Sequence, residues 1–231
     1  MRQAFADAIH STTVLDSSRT AFLRRTYLHL LASIVALVGF EAYLFSSGLA
    51  MRITEAILGT NWLIILGGFA IATWMARSVA HRSSSTGVQY LALAGYIAVW
   101  GVLLAPTLLI AQYKAGGGVI ESAAIATLLG FTGLTAIVIF SKKDFSFLGS
   151  VLRWGGFCAL GLIVASVLFG FNLGMFFTVA MIALAGASIL FDTHNVLNHY
   201  PHDRHVGAAM VLFGSIVLLF WYILRLFSSR N

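Results

Sequence analysis

A single carboxylate, Asp192, stands in the 25-residue apolar run 173–197, within Leu190-Phe191-Asp192-Thr193-His194-Asn195, and is that run's only formally charged side chain. A helix rises about 1.5 Å per residue, so an end near Leu197 puts Asp192 roughly 8 Å inside the polar boundary. Asp is too short to snorkel far, and a charge at the helix centre costs about 2.5–3.5 kcal/mol on insertion scales, less toward the interface. Two readings follow: a functional acid held by a partner, or an acid near a helix end hydrated by interfacial water. Arg77, in the last turn of the apolar run 56–80, is either a counter-ion for Asp192 or an anchor at the membrane surface. Ser215 is either a donor to that carboxylate or a small residue that lets helices approach.

The remaining side chains with chemical potential are few. His199, His202 and His205 recur every three residues with Asp203 among them. Pro201 interrupts any helix that would align them, so solvated loop histidines with a pH-dependent charge are expected rather than a metal site. Glu41 is expected at the outer interface. The lone Cys158 excludes an internal disulfide and, inside an apolar run without a neighbouring base, reads as packing. No nucleophile–base pair, phosphate-binding loop, zinc signature or dinucleotide glycine motif is visible, so neither an enzyme nor a cofactor is expected.

The elements that carry these residues follow from composition. With 59% hydrophobic and 10% charged residues and a mean hydropathy of +0.92, a chain of 231 residues has too little polar surface for a soluble globule. Spans are expected at 27–45, 56–80, 87–112, 119–140, 147–171, 173–197 and 206–227, which makes an all-α integral membrane protein, a bundle of seven transmembrane helices. Gly67-Gly68 permits close helix approach, Pro106 bends the third span, and Arg153 snorkels from the start of the fifth. Residues 1–26 carry Arg2, Asp7, Asp16, Arg19, Arg24 and Arg25 before any long apolar run, so they read as a mobile N-terminal tail rather than a cleavable signal, with 27–231 as the membrane domain.

Charge sets the expected orientation. With the N-terminus in the cytoplasm, Arg2, Arg19, Arg24, Arg25, Arg77, Arg82, Lys142, Lys143, Arg153 and Arg204 fall inside, and only Arg52, Lys114, Arg225 and Arg230 outside. The positive-inside rule therefore predicts a cytoplasmic N-terminus and an outer C-terminus, with Asp192 toward the cytoplasm. The excess of 14 basic over 8 acidic side chains lies beside apolar spans, which points to anionic lipid rather than nucleic acid.

Several stretches resemble the Bax inhibitor-1 family, and in particular its bacterial YccA branch. The most specific is Lys142-Lys143-Asp144-Phe145-Ser146-Phe147-Leu148-Gly149, similar to the family's junction between spans four and five. Leu190-Phe191-Asp192-Thr193 is similar to its aromatic–Asp–Thr segment, Tyr222-Ile223-Leu224-Arg225-Leu226-Phe227 to its closing segment, and Arg25-Thr26-Tyr27 and Pro106 also fit. The resemblance runs from about Arg24 onward. It implies one of two activities. Calcium-leaking members use an aspartate in span six and another in span seven, tied to an arginine in span two and opened by pH. Asp192 matches the first aspartate, Ser215 occupies the place of the second, and Arg77 follows the arginine position by one residue, about 100° around a helix. The YccA branch, which modulates the membrane-anchored protease FtsH, also lacks the second aspartate. The resemblance thus implies a regulator of the FtsH complex in the bacterial inner membrane, with a pH-sensitive calcium or cation leak as the alternative.

Overall fold

Gly48, in the left-handed conformation at φ 74°, turns the chain between α1 (Arg2–Ser46) and the short α2 (Leu49–Leu58). Asn61 then accepts from the Leu63 N–H at 2.9 Å and starts α3 (Trp62–Arg82). Four long helices follow: α4 (Thr86–Lys114), α5 (Val119–Ser141), α6 (Leu148–Phe169) and α7 (Gly174–Asn198). Gly170, at φ 70°, closes α6, Pro201 follows the end of α7, and α8 (His205–Ser228) completes the chain. The computed structural model describes residues 2–83, 85–114, 116, 118–141, 143–201 and 203–229, and their side chains apart from 2–17 and 80–82.

Seven of these helices are long and apolar enough to cross a membrane, the first over Ser18–Ser46 and the second over Trp62–Val79. The architecture is the expected all-α bundle. Two boundaries differ, the starts of the first and second spans. The second span was expected to start at residue 56, but 56–58 belong to α2, whose Ala50 and Thr54, one turn apart, are buried in the bundle. The apolar run is cut by Gly59-Thr60-Asn61, where Asn61 is spent as a cap, and hydropathy alone reads through so short a break.

The central helix is α8, which packs against α1, α3, α4, α5 and α7. In its most apolar stretch 72% of residues are buried, against none in α3. Leu212, Phe213 and Leu224 are fully enclosed. At Gly214 a Cβ would collide with the Tyr96 hydroxyl of α4, so this crossing requires glycine. The outer faces carry Leu129, Phe140, Trp154, Phe157 and Phe176, all exposed, an inverted pattern that suits a lipid surround. Cys158 is also exposed, so it faces outward rather than into the core.

The first helix runs unbroken past residues 26 and 27, the expected junction of tail and span. Phe22 and Thr26 are already buried, and the Arg19 guanidinium donates to the carbonyls of Val196 and Tyr200 at 2.7 and 2.9 Å. Packing against the bundle therefore reaches back to Arg19.

Candidate functional site

Asp192 lies six residues before the end of α7, about 9 Å along the helix. Its Oδ2 accepts a hydrogen bond of 2.5 Å from Ser215 Oγ on α8, and Ser215 is buried. Both residues stand on the most closely packed pair of helices in the bundle, which sets their spacing. Arg77 does not form an ion pair with Asp192 within 4 Å among the described residues. Its charge acts on Asp192 from α3, and its Nε is buried without a hydrogen-bond partner among the described residues. Tyr200, just beyond α7, joins the group: burial pushes its phenol up to about 12, opposed by Arg77 and reinforced by Asp192. Arg19 caps the carbonyls at this end of α7, where a cation also complements the helix dipole. Side chains from α1, α3 and α8 thus converge on one helix end.

The opposite face of α7 holds a second polar group. Two residues along a helix subtend about 200°, so His194 points away from Asp192, toward the connection between α5 and α6. Asp144 Oδ1 accepts from the Ser146 N–H at 2.8 Å, an Asx turn that shapes this connection. His194 Nε2 lies 3.1 Å from the same oxygen and 3.4 Å from Ser146 Oγ. Asn198 Nδ2, a donor, lies 3.2 Å from His194 Nδ1 and 2.9 Å from the His194 carbonyl. In the neutral ring the proton therefore sits on Nε2 and is given to Asp144. Hydrogen bonds from Ser146, side chain first and backbone second, hold the Asp144 carboxyl below the usual carboxylate range, with a smaller contribution from His194 and His199. The Phe145 ring meets His194 edge-on at 6.1 Å.

Within the Lys142–Gly149 motif, Lys143 and Phe147 are exposed, and Lys142 lies outside the described residues. Among the described residues of the motif, Asp144 and Ser146 are the ones that bond into the site. Arg153 lies along the first turn of α6, its Nε donating to the Gly149 carbonyl at 3.2 Å. The loop histidines diverge: His199 faces His194, while His205 meets His29 of α1 edge-on at 4.9 Å. His202 lies outside the described residues. Glu41, expected at the outer interface, is enclosed between α1 and α4, five residues before the Ser46 end of α1.

Three residues of this site were missed from sequence. His194 had a usable signal, since Asn198 follows it by one helical turn and Asp144-Phe145-Ser146 has the spacing of an Asx turn. Arg19 and Tyr200 had none, because their contacts join residues 177 to 181 positions apart.

The arrangement offers one carboxylate held by a hydroxyl with a guanidinium charge nearby. Among the described residues no second carboxylate contacts Asp192, so no coupled acid pair is present here. Residues 19–231 match the family model described as inhibitor of apoptosis-promoting Bax1. An uncharacterised protein of Pseudomonas aeruginosa is 32% identical over 222 residues, 95% of this chain and 94% of the relative. An uncharacterised protein of Campylobacter jejuni is 27% identical over 227 residues, 94% of this chain and 91% of its own length. The Golgi anti-apoptotic protein of vaccinia virus is 30% identical over 118 residues, about half of each chain (49% and 48%). The family match begins at Arg19, whose guanidinium bonds to the end of α7, and extends through every long helix, so the chain belongs to the Bax inhibitor-1 family of membrane proteins.

Proposed function

We propose that the chain is an inner-membrane regulator of the YccA type, with its N-terminus in the cytoplasm, which binds a membrane-anchored protease of the FtsH class and modulates it. The observation that supports this reading is the bond from Ser215 to Asp192. A leak pathway of the family's kind needs two acids at this point, to attract a hard cation that takes six to eight oxygen ligands and to couple to protons. Here a hydroxyl fills the second place and occupies the first acid. A regulator needs instead a bundle that resists extraction and a segment for the protease to engage. Residues 2–17, ahead of the Arg19 anchor, supply such a segment.

The test is reconstitution of the full chain with FtsH in liposomes, followed by degradation of a membrane substrate. The full chain is expected to slow degradation and to co-purify with the protease. Removal of residues 2–17, which spares Arg19, is expected to abolish both effects and leave thermal unfolding unchanged. Rapid calcium flux through the wild-type chain, with no effect on the protease, would reverse the assignment in favour of a leak.

A further inference from the structure

Three of the chain's five tryptophans, Trp62, Trp100 and Trp221, line one cavity of about 570 Å³ between α3, α4, α6, α7 and α8, a volume within the usual range for small-molecule sites. Much of the wall is apolar, with Phe69 from α3, Leu103 from α4 and Met181 from α7. Ser166 and Ser188, also in the wall, already donate to the Ile163 and Leu184 carbonyls of their own helices at 2.8 and 3.1 Å. No carboxylate lines the cavity among the described residues. Three helix ends meet it: Trp62 starts α3, Asn172 lies between α6 and α7, and Arg225 stands in the last turn of α8. They mark the level at which the bundle leaves the hydrocarbon, where tryptophan is favoured. Arg225 and Asn172 are exposed, and the Arg225 guanidinium makes no ion pair or hydrogen bond among the described residues. Leu160 and Phe171 in the wall are 45% and 46% exposed, so the cavity opens to the bilayer beside α6. Arg225 follows Ser215 by ten residues, about 15 Å along α8, which sets this end of the cavity well apart from Asp192.

The walls narrow the occupant. A cation meets the Arg225 charge at one end and no carboxylate along the way. A partner's helix is too wide, because one turn about 10 Å across and 5.4 Å long fills roughly 420 Å³, and the cavity would hold little more than that. Water needs two to four polar partners, which the apolar stretch does not supply. A single hydrocarbon chain is thin enough to enter and matches the walls. A phosphate at the head of such a chain would reach Arg225, whose planar guanidinium binds phosphate oxygens in pairs, at the level where headgroups lie. We propose that the cavity holds one acyl chain of an anionic phospholipid, which enters from the bilayer beside Leu160 and places its phosphate on Arg225. This inference goes beyond the regulator reading and does not depend on it.

The test uses the full chain with Trp74→Phe and Trp154→Phe, which removes the two tryptophans outside the cavity, 66% and 74% exposed, and leaves the three that line it as the emitters. The chain is placed in nanodiscs of phosphatidylcholine, and its fluorescence is quenched by rising fractions of phosphatidylglycerol or phosphatidylcholine with brominated acyl chains. Quenching by phosphatidylglycerol is expected to saturate at a mole fraction about fivefold lower than quenching by phosphatidylcholine, the gain from one basic side chain beside an anionic headgroup. Arg225→Gln is expected to abolish that preference. Gly156→Leu, which fills the cavity from a position where a Cβ meets nothing within 4 Å, is expected to remove the saturable quenching by either lipid. Equal curves for the two lipids, absence of saturable quenching, or a preference that survives Arg225→Gln would each overturn the proposal. The comparison of the two lipids needs no substitution in the cavity, so it decides even where Arg225→Gln or Gly156→Leu disturbs folding.

Discussion

Replacing Ser215 by Ala removes one hydroxyl and tests whether the bond to Asp192 holds α7 to α8. In water-soluble proteins a hydrogen bond to a charged group contributes about 1.5–3 kcal/mol. Bonds between membrane helices measure less, about 0.6 kcal/mol on average and 1.7 at most in one well-studied bundle, because an unfolded segment in the bilayer also finds partners. The 2.5 Å separation, the burial of Ser215 and the lack of an ion pair to replace it put this bond at the upper end of that membrane range. The expected loss is therefore about 1–2 kcal/mol, and at roughly 2–4 °C per kcal/mol for a chain of this size the melting temperature falls by about 2–8 °C. The assay is thermal unfolding in detergent, with Ser188→Ala as control, since Ser188 Oγ only returns to the Leu184 carbonyl of its own helix. Combining Ser215→Ala with Asp192→Asn closes a double-mutant cycle that isolates the pair. If Ser215→Ala unfolds no earlier than Ser188→Ala, and the cycle shows no coupling, then the bond does not hold the helices and the reasoning fails.

Three further outcomes are expected. A reporter fused after Asn231 should read as outside the cytoplasm and one inserted at 199–205 as inside, and opposite signals would overturn the charge count. Gly214→Ala should destabilise the chain by about 1–3 kcal/mol, because its Cβ must displace Tyr96; Gly156→Ala, with nothing within 4 Å, should be neutral or mildly stabilising. The Asp144 carboxyl is held below its ordinary range, so its contribution to the α5–α6 connection is complete above the unfolded-state value near 4 and is lost as pH falls through the lower folded one. Hydrogen exchange at the Ser146 amide, corrected for its intrinsic rate, should accelerate only below about pH 4; acceleration at pH 6–7 would assign the connection to a histidine instead.

Hydropathy made five of the seven spans legible to within about two residues, because a bilayer demands long apolar helices and tolerates little else, whereas the first begins at Ser18 rather than at 27. Hydropathy failed at residues 56–61, where an amphipathic helix and a span are both apolar and three residues separate them. The site was legible to the extent that a charge in an apolar run is costly: Asp192 drew notice, and the family resemblance put Ser215 in the place that meets it. Arg77 was found by type and position, but a helix rotation cannot be read to better than one residue, and the structure keeps its charge near Asp192 without an ion pair. The enclosure of Glu41 had no signal in the sequence, because distance from a helix end says nothing about which face is turned inward.

Asp192 and His194 constrain α7 together in a way that neither could alone. A single contact on one side of a helix resists separation but allows the helix to roll about that point. Contacts on opposite sides oppose each other under rotation, so the Ser215 bond on one face and the Asp144 connection on the other resist roll in both directions. Arg19 adds the axial restraint by holding the Val196 carbonyl in the last turn of the same helix and the Tyr200 carbonyl just beyond it. Among the described residues the far end has no polar tie to another helix: α7 starts at Gly174, in the left-handed conformation, Phe176 is 93% exposed, and Phe177 and Met181 pack there by apolar contact. The polar side-chain ties on α7 are therefore gathered at its C-terminal end. Any agent that grips the α5–α6 connection or the segment ahead of Arg19 acts directly on the helix that carries Asp192.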